Sequence, residues 1–429
     1  MALLATGYWL LSTVVLAEER VITLGEAYRL ALTTHEAIML TEEDLYQARK
    51  GEDKALSQLL PTITAEGTHT RYSQKKTSAL TVIQPEESSR FELKVSQPLY
   101  TGGKEWSTRR QARMTTKGRM EDISIVREEI VMEVSNAYYG VLKAEENLEI
   151  KESALKRAGE QRRVAEARFR VGEVAKVVVF RAEAELASAQ GELIKAKAEL
   201  EIARDRLARF IGLPKGFKVT EPNAQTTSGS ELEAFVSLAM EKRKDYIRAT
   251  IDEGIAKEGI TYAKGSFLPN LKLDGVYSRR EQDPIASSFF NRESSYATLT
   301  LTFPLFEGGL RKAELGEARS KLRQAELRRL NLKRDIELEV REVFYNLDAL
   351  HSSIETFKRQ VSFAEENYRM VFKQFQYGLA TNVDVVDANA TLVSAQRGLA
   401  NATYDLQVAI LELKKRTGVL LDEVGVKDQ

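Results

Sequence analysis

Two long tracts of the chain carry hydrophobic residues at helical spacing. In residues 310–417 one apolar series recurs every seven positions and a second series fills the complementary seam position. The first series is Val340, Leu347, Ile354, Val361, Tyr368 and Phe375, and the second is Val343, Leu350, Phe357, Ala364 and Val371. Residues 104–211 repeat the pattern with smaller side chains, and neither tract contains proline. Sustained heptads without proline predict long helices that pack as coiled coils.

Between these tracts lie shorter segments in which apolar and polar residues alternate. Phe91, Leu93 and Val95 form one such series, and Ala297, Leu299, Leu301 and Phe303 form another. A period of two predicts strands with one apolar and one polar face. With partner strands at 62–72 and 271–280, we expect two β-hairpins, at about 62–98 and about 271–304. Strands of about 9 to 11 residues have the length that a transmembrane β-strand needs.

The two halves of the chain are copies of each other. Adding 206 to a residue number carries residues 98–103 onto 304–309 and Gly172 onto Gly378. Self-similarity at a fixed offset predicts a duplicated structural unit. The expected layout is a signal peptide at 1–17, a first repeat at 18–222, a second repeat at 223–420 and a C-terminal tail at 421–429.

The signal peptide is predicted from an uncharged, mostly apolar run that ends in Val15-Leu16-Ala17. Small residues after an apolar segment are typical of a cleavage site, although here no Lys or Arg precedes the run. The alternative is a short membrane anchor, for which the run is at the lower limit of length.

Composition narrows the function classes. The 63 Lys and Arg residues balance the 63 Asp and Glu residues, which argues against nucleic acid as the main partner. The chain has no cysteine and three isolated histidines, so we expect no disulfide, no metal site and no thiolate chemistry. No phosphate-binding or dinucleotide-binding glycine motif occurs. The sequence therefore predicts neither an enzyme nor a bound cofactor.

Two hairpins cannot close a barrel, and an open sheet edge is not tolerated in lipid. Self-association of several chains would close the barrel and bury the helical seams. The alternative is a soluble hairpin packed on helices, which shows the same alternation.

Three motifs carry a resemblance to a known family. They are residues 97–103 and 303–309, with the sequences QPLYTGG and FPLFEGG, and residues 377–388, with the sequence YGLATNVDVVDA. With the duplicated layout over 21–420, they make the chain similar to the outer membrane efflux proteins of the TolC type.

The resemblance implies a mixed α and β membrane protein. Long antiparallel coiled-coil helices would form a periplasmic α-barrel continuous with a transmembrane β-barrel, closed by a homotrimer in outer membrane lipid. Such a duct passively conducts substrates in tripartite efflux or type I secretion, docked to a periplasmic membrane fusion (adaptor) protein and supplied by an inner membrane transporter. The alternative is a soluble periplasmic coiled-coil structural or adaptor protein.

The resemblance also singles out Asp384 and Asp387. At positions i and i+3 near a helix start the two share one face, and the helix N-terminus stabilises their charge. The family places them at the periplasmic mouth, where three chains would form an acidic gate ring. The alternative is a solvated first helical turn. The same positions in the first repeat are Val178 and Arg181, and we expect Arg181 to reach a carboxylate of the neighbouring copy.

The two turns between the helices are the remaining candidate sites. The resemblance places them where the adaptor tip binds. The expected contact residues are Gly172, Glu173, Val174, Gly378, Leu379 and Ala380.

Overall fold

The structure is a computed structural model that describes residues 20–78, 81–214, 216–222, 231–283, 285 and 291–425. The predicted signal peptide lies outside these residues. The helices are α1 Leu24–Thr34, α2 Glu36–Ser57, α3 Lys104–Arg170, α4 Lys176–Ile211, α5 Leu232–Lys242, α6 Lys244–Gly265, α7 Leu310–Gln376, α8 Asn382–Arg416 and α9 Leu420–Val424. The strands are β1 Arg20–Ile22, β2 Thr62–Arg71, β3 Lys76–Ser78, β4 Thr81–Gln84, β5 Glu87–Tyr100, β6 Phe217–Val219, β7 Asn270–Asp283 and β8 Glu293–Thr302.

The long helices lie within the two helical tracts that the heptads predict. Helices α3 and α7 each contain 67 residues and begin 206 positions apart, at Lys104 and Leu310. Helices α4 and α8 contain 36 and 35 residues. Of the predicted α7 seam, Val340 and Phe375 are fully buried. The apolar face therefore drives the packing that the sequence pattern indicates.

The chain divides into two compact units. The first comprises residues 1–36, 127–236 and 339–429, and the second comprises 37–126 and 237–338. One core cluster of the first unit contains Leu347, Ala409, Ile410 and Leu413.

A buried hydroxyl forms hydrogen bonds with two chain segments that pair as strands, a pairing that the sequence did not predict. Strands β1 and β6 pair in parallel, with Ile22 opposite Val219. The Tyr138 hydroxyl donates to the carbonyl of Ile22 at 2.9 Å or of Thr220 at 2.7 Å, and it accepts from the Thr220 N–H at 3.1 Å. Because the phenol ring is fully buried in α3, it holds both chain segments against that helix.

The second unit contains a four-stranded antiparallel sheet in the order β2-β5-β7-β8. The two predicted hairpins are present, and β5 pairs with β7 to join them. Apolar side chains on one face are left exposed, including Ile63, Leu299 and Leu301 at 62 to 68%. The loop of the first hairpin adds a small pair, β3 and β4, that sequence periodicity did not indicate.

Two further observations bear on the predicted layout. Residues 420–424, expected at the edge of a C-terminal tail, form the short helix α9, because Leu420 and Leu421 are buried. Among the described residues, no helix is both long enough and apolar enough to cross a membrane.

Candidate channel mouth

Two equivalent turns connect the long helices of the first unit. Residues 171–175 join α3 to α4, and residues 377–381 join α7 to α8. Gly172 and Gly378 adopt φ of 77° and 80°, the left-handed conformation that ends a helix and favours glycine. In the first turn the Glu173 N–H donates to the Arg168 carbonyl at 2.9 Å. In the second turn the Leu379 N–H donates to the Gln374 carbonyl at 2.8 Å. Helices α3 and α7 therefore end in the same way.

A small apolar core lies beneath the two turns. Ala165, Ala182, Phe375 and Val385, one from each of the four long helices, are all essentially inaccessible to solvent. Ala380 packs against this cluster, so one predicted contact residue also has a structural role. The core fixes the positions from which both turns project.

Arg168 connects the two turns, which the sequence did not reveal. Its Nη1 donates to the Phe375 carbonyl at 2.8 Å, and its Nε pairs with Glu173 Oε2 at 3.0 Å. The guanidinium also lies 5.5 Å from the Phe375 ring centre. A Cβ added at Gly378 would stand 2.9 Å from Nη2. The side chain is only 15% exposed, so Arg168 fills the space between the predicted contact segments.

The second turn places Asp384 in a capping box. Its Oδ2 accepts from the Thr381 N–H and hydroxyl at 2.7 Å each, and the Asp384 N–H donates to Thr381 Oγ1 at 3.3 Å. These hydrogen bonds lower the pKa of the Asp384 carboxyl. Asp387, one turn further along α8, is also exposed. Both predicted gate carboxylates thus project from the first turns of α8.

The start of α4 lacks these features. Its N-cap residue, Ala175, makes no side-chain cap hydrogen bond, and the first turn contains no acid. Arg181 is exposed and forms no ion pair within the described part of this chain. Its predicted pairing is therefore not formed inside one protomer, and a contact with another protomer stays a prediction.

The remaining predicted contact residues lie on the surface of the turns. Gly172 and Glu173 are exposed and Val174 is half-buried. Two large apolar side chains of the turns, Leu379 and Tyr377, are about 80% exposed. Tyr377 belongs to the 377–388 motif but was not among the expected contact residues, although its place beside Gly378 gave the signal. The second turn therefore presents two large apolar side chains to solvent.

Buried polar contacts join α3 to α8 just behind the turns. Gln161, 2% exposed, donates to Asn382 Oδ1 at 2.8 Å. Arg157 donates to Asn389 Oδ1 at 2.7 Å, and burial lowers the pKa of its guanidinium. Such paired polar groups fix the register of the two helices, and sequence periodicity alone does not reveal them.

Within the described ranges, no group of three or more His, Asp or Glu side chains is placed to hold a metal ion.

Comparison with known proteins gives consistent matches over nearly the whole chain. Residues 27–213 and 235–419 match the family model described as outer membrane efflux protein. The outer membrane protein TolC of Vibrio cholerae serotype O1 is 25% identical over 307 residues, or 68% of each chain. TolC of Escherichia coli K12 is 25% identical over 68% of this chain and 62% of its own length. The solved structure of VceC from Vibrio cholerae superimposes with a TM-score of 0.79 at 21% identity, covering 92% of this chain and 96% of that one.

Proposed function

This chain belongs to the outer membrane efflux protein family, and on that premise we propose that it is an outer membrane exit duct. It passively conducts substrates to the outside in a tripartite efflux or type I secretion system. An inner membrane transporter supplies the substrates and a periplasmic adaptor protein connects the two. Its work is conduction rather than catalysis.

The observation that carries this proposal is the combination of the sheet with the long helices. The sheet has an apolar face exposed to solvent, and among the described residues its outermost strands, β2 and β8, have a partner on one side only. The apolar face is costly in water, and the unpaired strand edges are costly in lipid unless strands of other chains pair with them. Three chains joined edge to edge would close a barrel, with the apolar faces toward lipid.

The mouth of the duct lies at the turns of 171–175 and 377–381 in this proposal. In a trimer Asp384 and Asp387 recur around the axis and form the acidic gate ring, which attracts cations and constricts the pore. Arg181 pairs there with a carboxylate of the neighbouring copy. The turn residues Gly172, Glu173, Val174, Gly378, Leu379 and Ala380, together with Tyr377, form the surface that the adaptor covers.

The same reading assigns the layout of the chain. Residues 18–222 and 223–420 form two structural repeats, each supplying one hairpin and one pair of long helices to the wall. The two matches of the family model, with one in each repeat, support this division.

Single-channel conductance in a planar bilayer tests the proposal. We expect the detergent-purified protein to conduct, and a trivalent cation on the mouth side to block the current. The double variant Asp384→Ala/Asp387→Ala should lose the block. The control variant Asp348→Ala removes an exposed carboxylate of α7. This residue lies about 40 Å from the end of α7, at 1.5 Å per residue, so the variant should still be blocked by the cation.

Either of two results would contradict this function. A protein that stays soluble without detergent and never conducts would favour the periplasmic coiled-coil alternative. A channel whose block survives in the double variant would refute the acidic ring while leaving the duct itself intact.

A further inference from the structure

The polar face of the four-stranded sheet places like charges directly opposite each other. Glu66 of β2 is paired in register with Glu92 of β5. Two residues further toward the loops, Arg90 of β5 is paired with Arg280 of β7, with Thr68 of β2 on the other side of Arg90. Like charges in direct register are destabilising in a sheet. Here a row of carboxylates and a row of guanidinium groups follow one another along the strands.

The two arginines differ in their partners. Arg90 shares an ion pair with Glu92 at 3.7 Å. Arg280 makes no ion pair with any residue that the structure describes. The nearby loop residues outside that description, 79–80, 284 and 286–290, contain no Asp or Glu. Arg280 is thus an exposed cation that has no counterion among the described residues or in these loop residues.

The neighbouring arginine shows the contrast. Arg279 points to the opposite face of the sheet, where it pairs with Glu281 at 2.8 Å and with Glu293 at 3.8 Å. Of these two consecutive arginines on one strand, Arg279 is ion-paired and Arg280 has no ion pair among the described residues. The unpaired one lies on the polar face.

The arginine row lines a groove of about 420 Å³ on that face. Hydroxyl groups of Thr68, Thr70 and Ser88 line the same groove and can donate hydrogen bonds. The carboxylates of Glu66 and Glu92 occupy the row nearer the helices. These two carboxylates also line the groove, and at its loop end the groove combines planar guanidinium groups with neutral donors. Such an arrangement can bind an oxyanion in bidentate fashion.

We propose that the row formed by Arg90 and Arg280 is an oxyanion-binding site of the pore, anchored by Arg280. This inference rests on the proposed function, because the polar face lines the pore only if the apolar face meets lipid. Three chains would bring three such rows to one level, and rings of Arg or Lys are how pores select anions and phosphate. The substrates that this site favours are small solutes carrying a phosphate or carboxylate group. The carboxylate row beside it makes the lumen bipolar, with opposite charges met in succession.

Inorganic phosphate is the probe for this site. We expect phosphate to reduce the single-channel current of the wild-type protein in potassium chloride, and Arg280→Gln to raise the half-blocking concentration about tenfold or more, as loss of a charge-assisted bidentate contact requires. Arg280→Lys, which keeps the charge, should retain part of the block. Acetate in a parallel series distinguishes a site for phosphate from one for any carboxylate.

Arg279→Gln is the matched control, because it removes the same charge from the adjacent residue on the other face. It should leave the half-blocking concentration within about twofold of wild type, since its ion pairs lie away from the groove. Equal effects of the two variants, or a conducting wild type that phosphate never blocks, would overturn the oxyanion site and leave the exit duct standing. A protein that folds and never conducts would overturn the proposed duct and this site with it.

Discussion

Replacing Arg168 by glutamine tests whether one side chain holds the two turns of the mouth together. Arg168 belongs to α3, yet it bonds the Phe375 carbonyl at the end of α7 and Glu173 in the first turn. The glutamine keeps most of the aliphatic chain and loses the charge. The substitution therefore removes the link without opening a large cavity.

The loss of local stability expected in Arg168→Gln follows from the three contacts of the arginine. A hydrogen bond from a charged donor contributes about 1.5 to 3 kcal/mol, and a guanidinium over an aromatic ring adds about 0.5 to 1 kcal/mol or more when it is shielded from water. The ion pair with Glu173, whose side chain is 57% exposed, is screened and adds less than about 1 kcal/mol. A loss of about 3 kcal/mol corresponds to about a hundredfold shift in a local opening equilibrium.

Amide hydrogen exchange of the peptides that span 169–175 and 374–381 measures this shift. We expect both segments to lose protection together, by about a hundredfold in Arg168→Gln, while protection in the middle of α3 stays unchanged. Arg163→Gln is the matched control. Arg163 lies about one turn earlier on α3 and is 74% exposed, and among the described residues its ion pair is with Glu160 of its own helix.

Two results would refute the reasoning. Loss of protection in the first turn alone would show that the bond to the Phe375 carbonyl does not couple the turns. Equal losses in Arg168→Gln and Arg163→Gln would show that the effect is one of net charge.

Three further predictions concern the described helices. Tyr138→Phe removes the hydroxyl that bonds the Ile22 and Thr220 carbonyls and the Thr220 N–H. This loss should lower the free energy of unfolding by about 2 to 4 kcal/mol, as measured by thermal unfolding in detergent with circular dichroism. Because hydrogen bonds lower the pKa of Asp384 in the folded state, the stability that its capping box provides is present above the unfolded pKa, about 4, and is lost as pH falls through the lower folded value. Protection at the start of α8, corrected for intrinsic exchange, should therefore fall with acid in the wild type and stay constant in Asp384→Asn. Gly398→Ala would place a methyl group 2.7 Å from the Phe357 ring and should cost about 1 to 3 kcal/mol, whereas Gly191→Ala, which meets nothing within 4 Å in its own chain, should not lower the melting temperature.

The sequence predicted those parts of the molecule that depend on local pattern. Heptads and the absence of proline predicted the two helical tracts, 104–211 and 310–417, in which α3, α4, α7 and α8 lie, and alternation predicted both hairpins. The capping box was not predicted, but it could have been, because Thr381 and Asp384 stand at the required spacing. Family resemblance, more than residue chemistry, singled out the carboxylates.

The features that the sequence did not predict depend on tertiary contacts between residues far apart in the chain. Arg168 meets Phe375, which lies 207 residues away in sequence, and no periodicity signals which arginine of α3 points into the gap. The opposition of Arg90 to Arg280 requires the register between β5 and β7, two strands that do not belong to one hairpin. Alternation shows the face of each residue but not its cross-strand neighbour.

The two turns of the mouth reach similar geometry by different means. The second is stabilised locally, since Thr381 and Asp384 satisfy the exposed donors at the start of α8. The first has no such cap, and it places Lys176 at a helix N-terminus, where a cation is unfavourable. Two contacts offset this weakness, because the Lys176 ammonium lies 5.2 Å from the Phe180 ring centre and Arg168, near the end of α3, pairs with Glu173. Because Arg168 also donates to the Phe375 carbonyl, the first turn depends on the end of α7 for its order, whereas the cap of the second turn lies within residues 381–384. A partner that displaces Glu173 from Arg168 would loosen the first turn and leave the carboxylates of α8 in place.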